Sequence, residues 1–221
     1  DRLMEEVVQR GNAKAALKRV KQNKGSPGID GMTLQDLPEY LVDHWEEIRE
    51  RLLAGTYQPR PVKRQEIPKS GGGVRELGIP TVLDRFIQQA ILQVLQPRFD
   101  PTFSEHSHGF RPGRNAHQAL KRLGEVITLD QTQWLVEADI KGFFDHVDHD
   151  WLMKFLAHRI ADPVLLRVIR RFLKAGVLEE GLLQPSEAGT PQGGLVSPVL
   201  ANIYLHYVLD LWFEKRFARS C

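Results

Sequence analysis

Between Tyr57 and Pro80 the stretch YQPRPVKRQEIPKSGGGVRELGIP breaks the rhythm of an otherwise helical chain. Its short β-prone pieces carry proline at their ends, and three glycines stand between Lys69 and Arg75, so it reads as a β-hairpin over 62–80 with a mobile tip. On either side, apolar residues return at three- and four-residue steps. Leu3, Val7, Val8, Ala13, Ala16, Leu17 and Val20 predict a helix over 3–21, and Leu34 to Leu52 predict one or two over 33–53. Val82, Phe86, Ile87, Ile91 and Leu95 predict another over 81–96, and a further helix follows Asn115. The turn formers KGSPGIDG fill 24–31. A strand over 134–140, helices over 150–160 and 163–174, a hairpin-like piece at 176–188 and a helix over 196–217 complete the pattern.

The 221 residues are 42% hydrophobic and 26% charged, enough to bury a core as one large domain or two small ones. A net charge of +2 says little about partners, but the distribution says more. Asp36, Glu39, Asp43, Glu46, Glu47 and Glu50 face only Arg49 over 36–50, whereas 108–122 holds Arg111, Arg114, Lys121 and Arg122 without an acid. The single cysteine, Cys221, excludes an intrachain disulfide and a cysteine-rich zinc site, and points to the reducing cytoplasm. No apolar run reaches the length of a membrane span, and DRLMEEVVQR lacks the core of a signal peptide. The absent initiator methionine and the abrupt FARSC ending lead to the expectation that both ends are cut from something longer.

The stretch ADIKGFFDHVDHDWL gathers four aspartates and two histidines after the apolar WLV. If 134–140 is a buried strand, Asp139 lies near its carboxyl end, where a lone charge is costly unless a cation pairs with it. That carboxylate either holds a metal, as Mg²⁺ needs only one or two protein carboxylates plus phosphates, or accepts backbone N–H groups of the next turn. Asp148 and Asp150 precede the helical pattern WLMKFLAHRI and suit a helix start. His146, Asp148, His149 and Asp150 form a possible zinc or manganese set, against which stand the poor His-x-x-His geometry on a loop and the lack of a distant third ligand. Lys69 and Arg75 flank a glycine tip that can approach a phosphate. Arg111 and Arg114 precede a helix whose first amides also attract anions, unless the loop is only a surface turn capped by Asn115. In GTPQGGLVSPVLANIYL a glycine-rich turn runs into an apolar helix, so that Gln192 and the backbone of Gly193 and Gly194 can face a ligand.

In this order, IPKSGGGVRELGIP, HGFRPGRNAHQAL, VEADIKGFFDHVDHDWL and AGTPQGGLVSPVLANIYL resemble the motifs of reverse transcriptases. The likeness is to the group II intron-encoded reverse transcriptase/maturase family, with GNAKAALKRVKQNKGSPGIDG similar to its N-terminal extension, and covers the chain from about Gly11 onward. It implies an α+β, helix-rich right-hand polymerase: an N-terminal extension and helical part of the fingers over 1–56, fingers over 57–130 and a partial palm, an antiparallel sheet packed on helices, over 131–221. It implies an RNA-directed DNA polymerase that uses two Mg²⁺ ions, dNTP, an RNA template and a DNA primer, and that binds intron RNA to assist splicing. Asp139 resembles the first metal-binding aspartate, with the carbonyl of Ile140 a further ligand. Phe144, five positions on, matches the aromatic residue under the sugar that excludes ribonucleotides. Lys69 and Arg75 resemble the grip on the triphosphate, Gln192 the glutamine of the nucleotide pocket, and Arg111 and Arg114 template-side contacts.

One departure stands out. The family completes its metal site with a Tyr/Phe-x-Asp-Asp hairpin, and no such pair occurs in these 221 residues. The expectation is therefore a fragment, fingers plus the first part of the palm, that does not polymerise alone and that can self-associate, as a homodimer, through apolar surface. The alternatives are a non-catalytic module that binds structured RNA, or a CRISPR-associated or diversity-generating relative.

Overall fold

The computed structural model describes residues 2–68, 72–129, 133–179, 182–184, 189 and 194–217. Helix α1 spans Leu3–Val8 and α2 spans Arg10–Gln22, so the helix predicted over 3–21 is two. The break is Gln9, whose ψ of 138° is extended. The Asn12 amide then donates to the Val7 carbonyl at 2.8 Å and to Ala90 at 3.0 Å, satisfying a carbonyl that the break strands.

Helix α3 (Leu37–Leu53) opens with Pro38 in its first turn and leads to the hairpin β1 (Val62–Pro68) and β2 (Val74–Ile79). Helix α4 (Val82–Phe99) is the centre of the molecule. Thr81 caps it, accepting the Asp84 amide at 3.1 Å. Buried residues follow its whole circumference from Val82 to Phe99, because α1, α2 and α8 pack around it. Trp45 of α3 meets Phe86 edge-on, with ring centroids 5.7 Å apart.

Helix α5 (Ala116–Leu129) starts with a reciprocal cap: Gln118 N donates to Asn115 Oδ1 at 3.0 Å, and Asn115 N to Gln118 Oε1 at 2.9 Å. Helices α6 (His149–Ala157) and α7 (Pro163–Leu173) pack on each other, and α6 packs on α8 (Ser197–Leu205). A π-helical turn over His206–Asp210 joins α8 to α9 (Leu211–Arg216), so the helix predicted over 196–217 is continuous in direction but not in hydrogen bonding.

The strands form one small mixed sheet in the order β2-β1-β3-β4, with β3 at Val177–Glu179 and β4 at Leu182–Gln184. The hairpin pairs are antiparallel, as predicted from the turn residues, but β1 and β3 are parallel, with Val62 opposite Val177. The long return through the helices brings β3 beside β1 in the same direction. Only Val62 of β1 is buried, so the hairpin stands out from the helical body.

The strand predicted over 134–140 is not formed. Residues 133–140 run without ladder pairing and exposed to solvent, with Trp134 at 87% and Val136 at 90% of full exposure. An extended apolar segment becomes a strand only with a neighbour to pair with, and the four strands described here pair among themselves. Among the described residues, no helix is long and apolar enough to cross a membrane.

Candidate active site

Two of the sequence motifs meet at Gly189. Its amide donates to the Val147 carbonyl at 2.8 Å, and its carbonyl accepts a hydrogen bond from His149 Nε2. Since a carbonyl only accepts, that imidazole nitrogen carries the proton. Gly189 has φ +85°, and a Cβ placed there would lie 2.8 Å from the Phe144 carbonyl oxygen and 2.9 Å from that of Asp145. Backbone occupies the space, so only glycine fits. The GTPQGG motif therefore starts against the main chain of the GFFD turn.

That second turn is opened by Gly142 in the left-handed region, φ 61°, and continues as one 3-10 turn over Phe143–Asp145. Phe144 is half-buried, its ring edge-on to Phe143 at 5.6 Å. Phe143 in turn meets Tyr204 of α8 at 6.2 Å, and Tyr204 meets Phe155 of α6 at 5.5 Å. An aromatic wedge thus fixes the turn on the α6–α8 pair.

Asp139 and Ile140 lie just before this turn and are exposed. The burial expected to demand a cation for Asp139 is absent, because the strand that would have buried it does not form. Asp139 makes no hydrogen bond or ion pair with the described residues. The other acids divide as their positions dictate. Asp148 is the N-cap of α6, accepting the Trp151 amide at 2.9 Å, while Asp150 pairs with Arg170 of α7 at 2.6 Å. His146 Nδ1 donates to the Gly142 carbonyl at 2.7 Å, so both histidines of the alternative metal set are committed to main-chain carbonyls. Among the described residues, no three His, Cys, Asp or Glu side chains converge as a metal site.

Arg75 sits on β2 opposite Ile67, with its side chain outside the described residues. Lys69 and Gln192 also lie outside them. The two basic-loop residues part company. Arg111 is buried and has every donor engaged: Nε on Asp100 Oδ1 at 2.9 Å, one terminal nitrogen on the Ser104 and Ser107 carbonyls at 2.6 and 2.9 Å, the other on the Asp100 carbonyl and carboxylate at 2.9 and 3.4 Å. It is a clamp that shapes the loop. Arg114 is half-buried and donates to the Glu105 carbonyl.

The hairpin base has its own anchor, which sequence reasoning missed. The buried Asp84 accepts Tyr57 Oη at 2.8 Å, Thr81 Oγ1 at 2.8 Å and the Arg60 amide at 3.0 Å. Burial nevertheless pushes its pKa up to about 6, against the lowering effect of the Thr81, Tyr57 and Arg60 hydrogen bonds. Burial and the Asp84 charge together raise the Tyr57 phenol well above its ordinary value. The signal was present as Thr-x-x-Asp at the start of a helix, a pattern that marks a cap but not its distant partners. His149 was also missed in this role, because a loop contact across 40 residues leaves no local pattern.

Residues 67–219 match the sequence model of the reverse transcriptase (RNA-dependent DNA polymerase) family. The chain is 35% identical over 221 residues to protein YkfC of Escherichia coli (strain K12), covering 98% of this chain and 58% of that protein. It is 41% identical over 212 residues to the group II intron-encoded protein LtrA of Lactococcus lactis subsp. cremoris, covering 93% of this chain and 34% of LtrA. It thus spans less than two thirds of either relative. In fold it is similar to a partial Cas6-RT-Cas1–Cas2 complex, with a TM-score of 0.64 at 22% identity over 97% of this chain and 35% of that one. A right-hand α+β architecture, the meeting of the two motifs at Gly189 and a family match over most of the chain agree: this chain belongs to the reverse transcriptase family and is similar to its group II intron-encoded members.

Proposed function

We propose that the chain forms the N-terminal extension (1–56), the fingers (57–130) and part of the palm (131–221) of an RNA-directed DNA polymerase of the group II intron type, whose full-length protein also binds intron RNA and assists its splicing. The observation that carries this reading is the junction at Gly189, which sets the first residue of the motif that contains Gln192 against the turn that carries Phe144. Two motifs 45 residues apart, each of a kind that nucleotide pockets use, share one main-chain contact.

The roles follow from chemistry. Asp139 is an exposed carboxylate without a partner among the described residues, and the carbonyl of Ile140 follows it; such hard oxygens suit Mg²⁺. They supply one carboxylate of the set, the complete site holding two ions. When bound, Mg²⁺ activates the primer 3′-hydroxyl and neutralises charge on the departing pyrophosphate. Lys69 and Arg75, which flank the three glycines in the sequence, neutralise the triphosphate of the dNTP, and Gln192 lines the pocket. Phe144 stands under the sugar and rejects a 2′-hydroxyl sterically. Arg114 contacts the template backbone, while Arg111 keeps the loop in the shape that presents it. The lone Cys221 suits a cytoplasmic protein.

The reading is tested by extension of an oligo(dT) primer on poly(rA) with Mg²⁺ and dTTP, using the full-length protein and its Asp139→Ala variant. Extension that Asp139→Ala abolishes supports it. Tight RNA binding without extension by the unaltered protein would replace it with a structured-RNA-binding role, for which the acid-free basic stretch 108–122 is the supporting feature.

A further inference from the structure

We infer that His149 is a positioning residue for sugar selection, acting through Gly189 on the main chain of Phe144; the inference rests on the polymerase reading above. His149 is the first residue of α6, a helix set in place by the Asp148 cap and by the buried Leu152 and Leu156. Its ring is buried, at 4% of full exposure. From that fixed point Nε2 donates to the Gly189 carbonyl, while the Gly189 amide donates to Val147 at 2.8 Å. Both polar groups of Gly189 are thus held by residues on either side of Asp148.

The α-carbon of Gly189 faces the carbonyls of Phe144 and Asp145, with space for a hydrogen and nothing larger. The same turn is also held by Phe143, whose ring meets Tyr204. The main chain of Phe144 is therefore restrained by its neighbour's contact with Tyr204 and by Gly189, and the His149–Gly189 bond holds the second of these restraints in place. A side chain that rejects one extra oxygen atom on a sugar works only if its height is fixed to a fraction of an ångström, which makes that restraint a determinant of specificity.

A second observation separates this role from simple packing. Among the described residues, the buried Nδ1 of His149 has no hydrogen-bond partner. A buried polar atom left unpaired is costly, so an apolar side chain would fill the site more cheaply if filling were its only task. The cost is offset by the one bond that an apolar residue cannot make, the bond to Gly189.

The test uses the full-length protein and single-nucleotide incorporation opposite a templating adenine, with kcat and KM measured for dTTP and UTP. His149→Leu and His149→Asn both lose the bond, the second because its amide is too short to reach Gly189. His149→Gln keeps a donor at the distance of Nε2. The expected result is a rise of roughly threefold to tenfold in the UTP:dTTP ratio of kcat/KM for the Leu and Asn variants, carried mainly by the KM for each nucleotide and restored by Gln. An unchanged ratio in the variant that folds, or a Gln variant as indiscriminate as Leu, overturns the proposal while leaving the polymerase reading intact. Unaltered protein that extends no primer at all removes the polymerase reading and this inference with it.

Discussion

The carboxylate of Asp162 accepts the amide of Met4 across 158 positions of sequence, at 2.8 Å, while its other oxygen accepts Val164 N and Leu165 N at 2.8 and 3.1 Å. One buried side chain therefore caps two helices, α1 and α7, which meet at their N-terminal ends. Both dipoles place positive charge at this carboxylate.

Replacing Asp162 by alanine removes both caps at once. The expected loss is about 2–4 kcal/mol, roughly twice that of an ordinary cap. Asp162→Asn retains one acceptor oxygen and should lose less. Urea unfolding followed by circular dichroism checks both; a loss in Asp162→Ala no larger than that of a single cap would show that α1 does not depend on this contact.

Asp84 gives stability a pH dependence of unusual sign for a carboxylate. Its folded pKa, about 6, lies above the ordinary 3.8, so the folded state holds the proton more tightly than the unfolded state. The contribution is fully present below pH 3.8 and is lost as pH rises towards 6, amounting to about 2–3 kcal/mol in total. Asp84→Asn should flatten this part of the profile. Denaturant midpoints at closely spaced pH values between 4 and 7 measure it, and parallel profiles for the two proteins would contradict the assignment.

Arg111 and Arg114 should separate in their effects. Arg111→Ala leaves Asp100 and two carbonyls without their donor and is expected to lower stability by about 2–4 kcal/mol. Arg114→Ala should leave the melting temperature almost unchanged, weaken RNA binding and reduce its salt slope by about 0.7. Differential scanning fluorimetry and fluorescence anisotropy against salt concentration test the pair together.

Gly189→Ala forces a methyl group into the Phe144 and Asp145 main chain in a backbone conformation that alanine resists. A loss of about 2–4 kcal/mol is expected. By contrast, Gly72→Ala, where φ is +88° but nothing lies within 4 Å of the added methyl, should cost about 1 kcal/mol. Thermal unfolding of the two variants side by side distinguishes crowding from backbone preference.

Helices carried by a clear apolar period, such as α4 and α7, were legible because the residues that set the period are also those that pack. The hairpin was legible from its prolines and glycines, since those residues fix local backbone geometry regardless of what surrounds them. The strand over 134–140 was not, because a strand needs a partner and the apolar run WLV carries no record of one. Asp148 was readable as a cap from its neighbours alone, whereas Asp162, Asp84 and His149 act on groups that are remote in sequence. Arg111 shows the same limit from the other side: a basic residue in a basic loop looked free, and only its fold neighbour Asp100 reveals it as internal.

The projection of the β1–β2 hairpin has a mechanical consequence. From Val62, where β1 pairs with β3, to Pro68 is seven residues of strand, six steps that make roughly 20 Å of lever. Among the described residues, two residue pairs join β1 to β3, at Val62 and Lys63, and they serve as the fulcrum. A tilt of about 10° there displaces Pro68 by roughly 3–4 Å. The position of the far end is thus governed at the near end, where the hydrogen bonds of Asp84 to Tyr57 and Arg60 anchor the chain leading into β1.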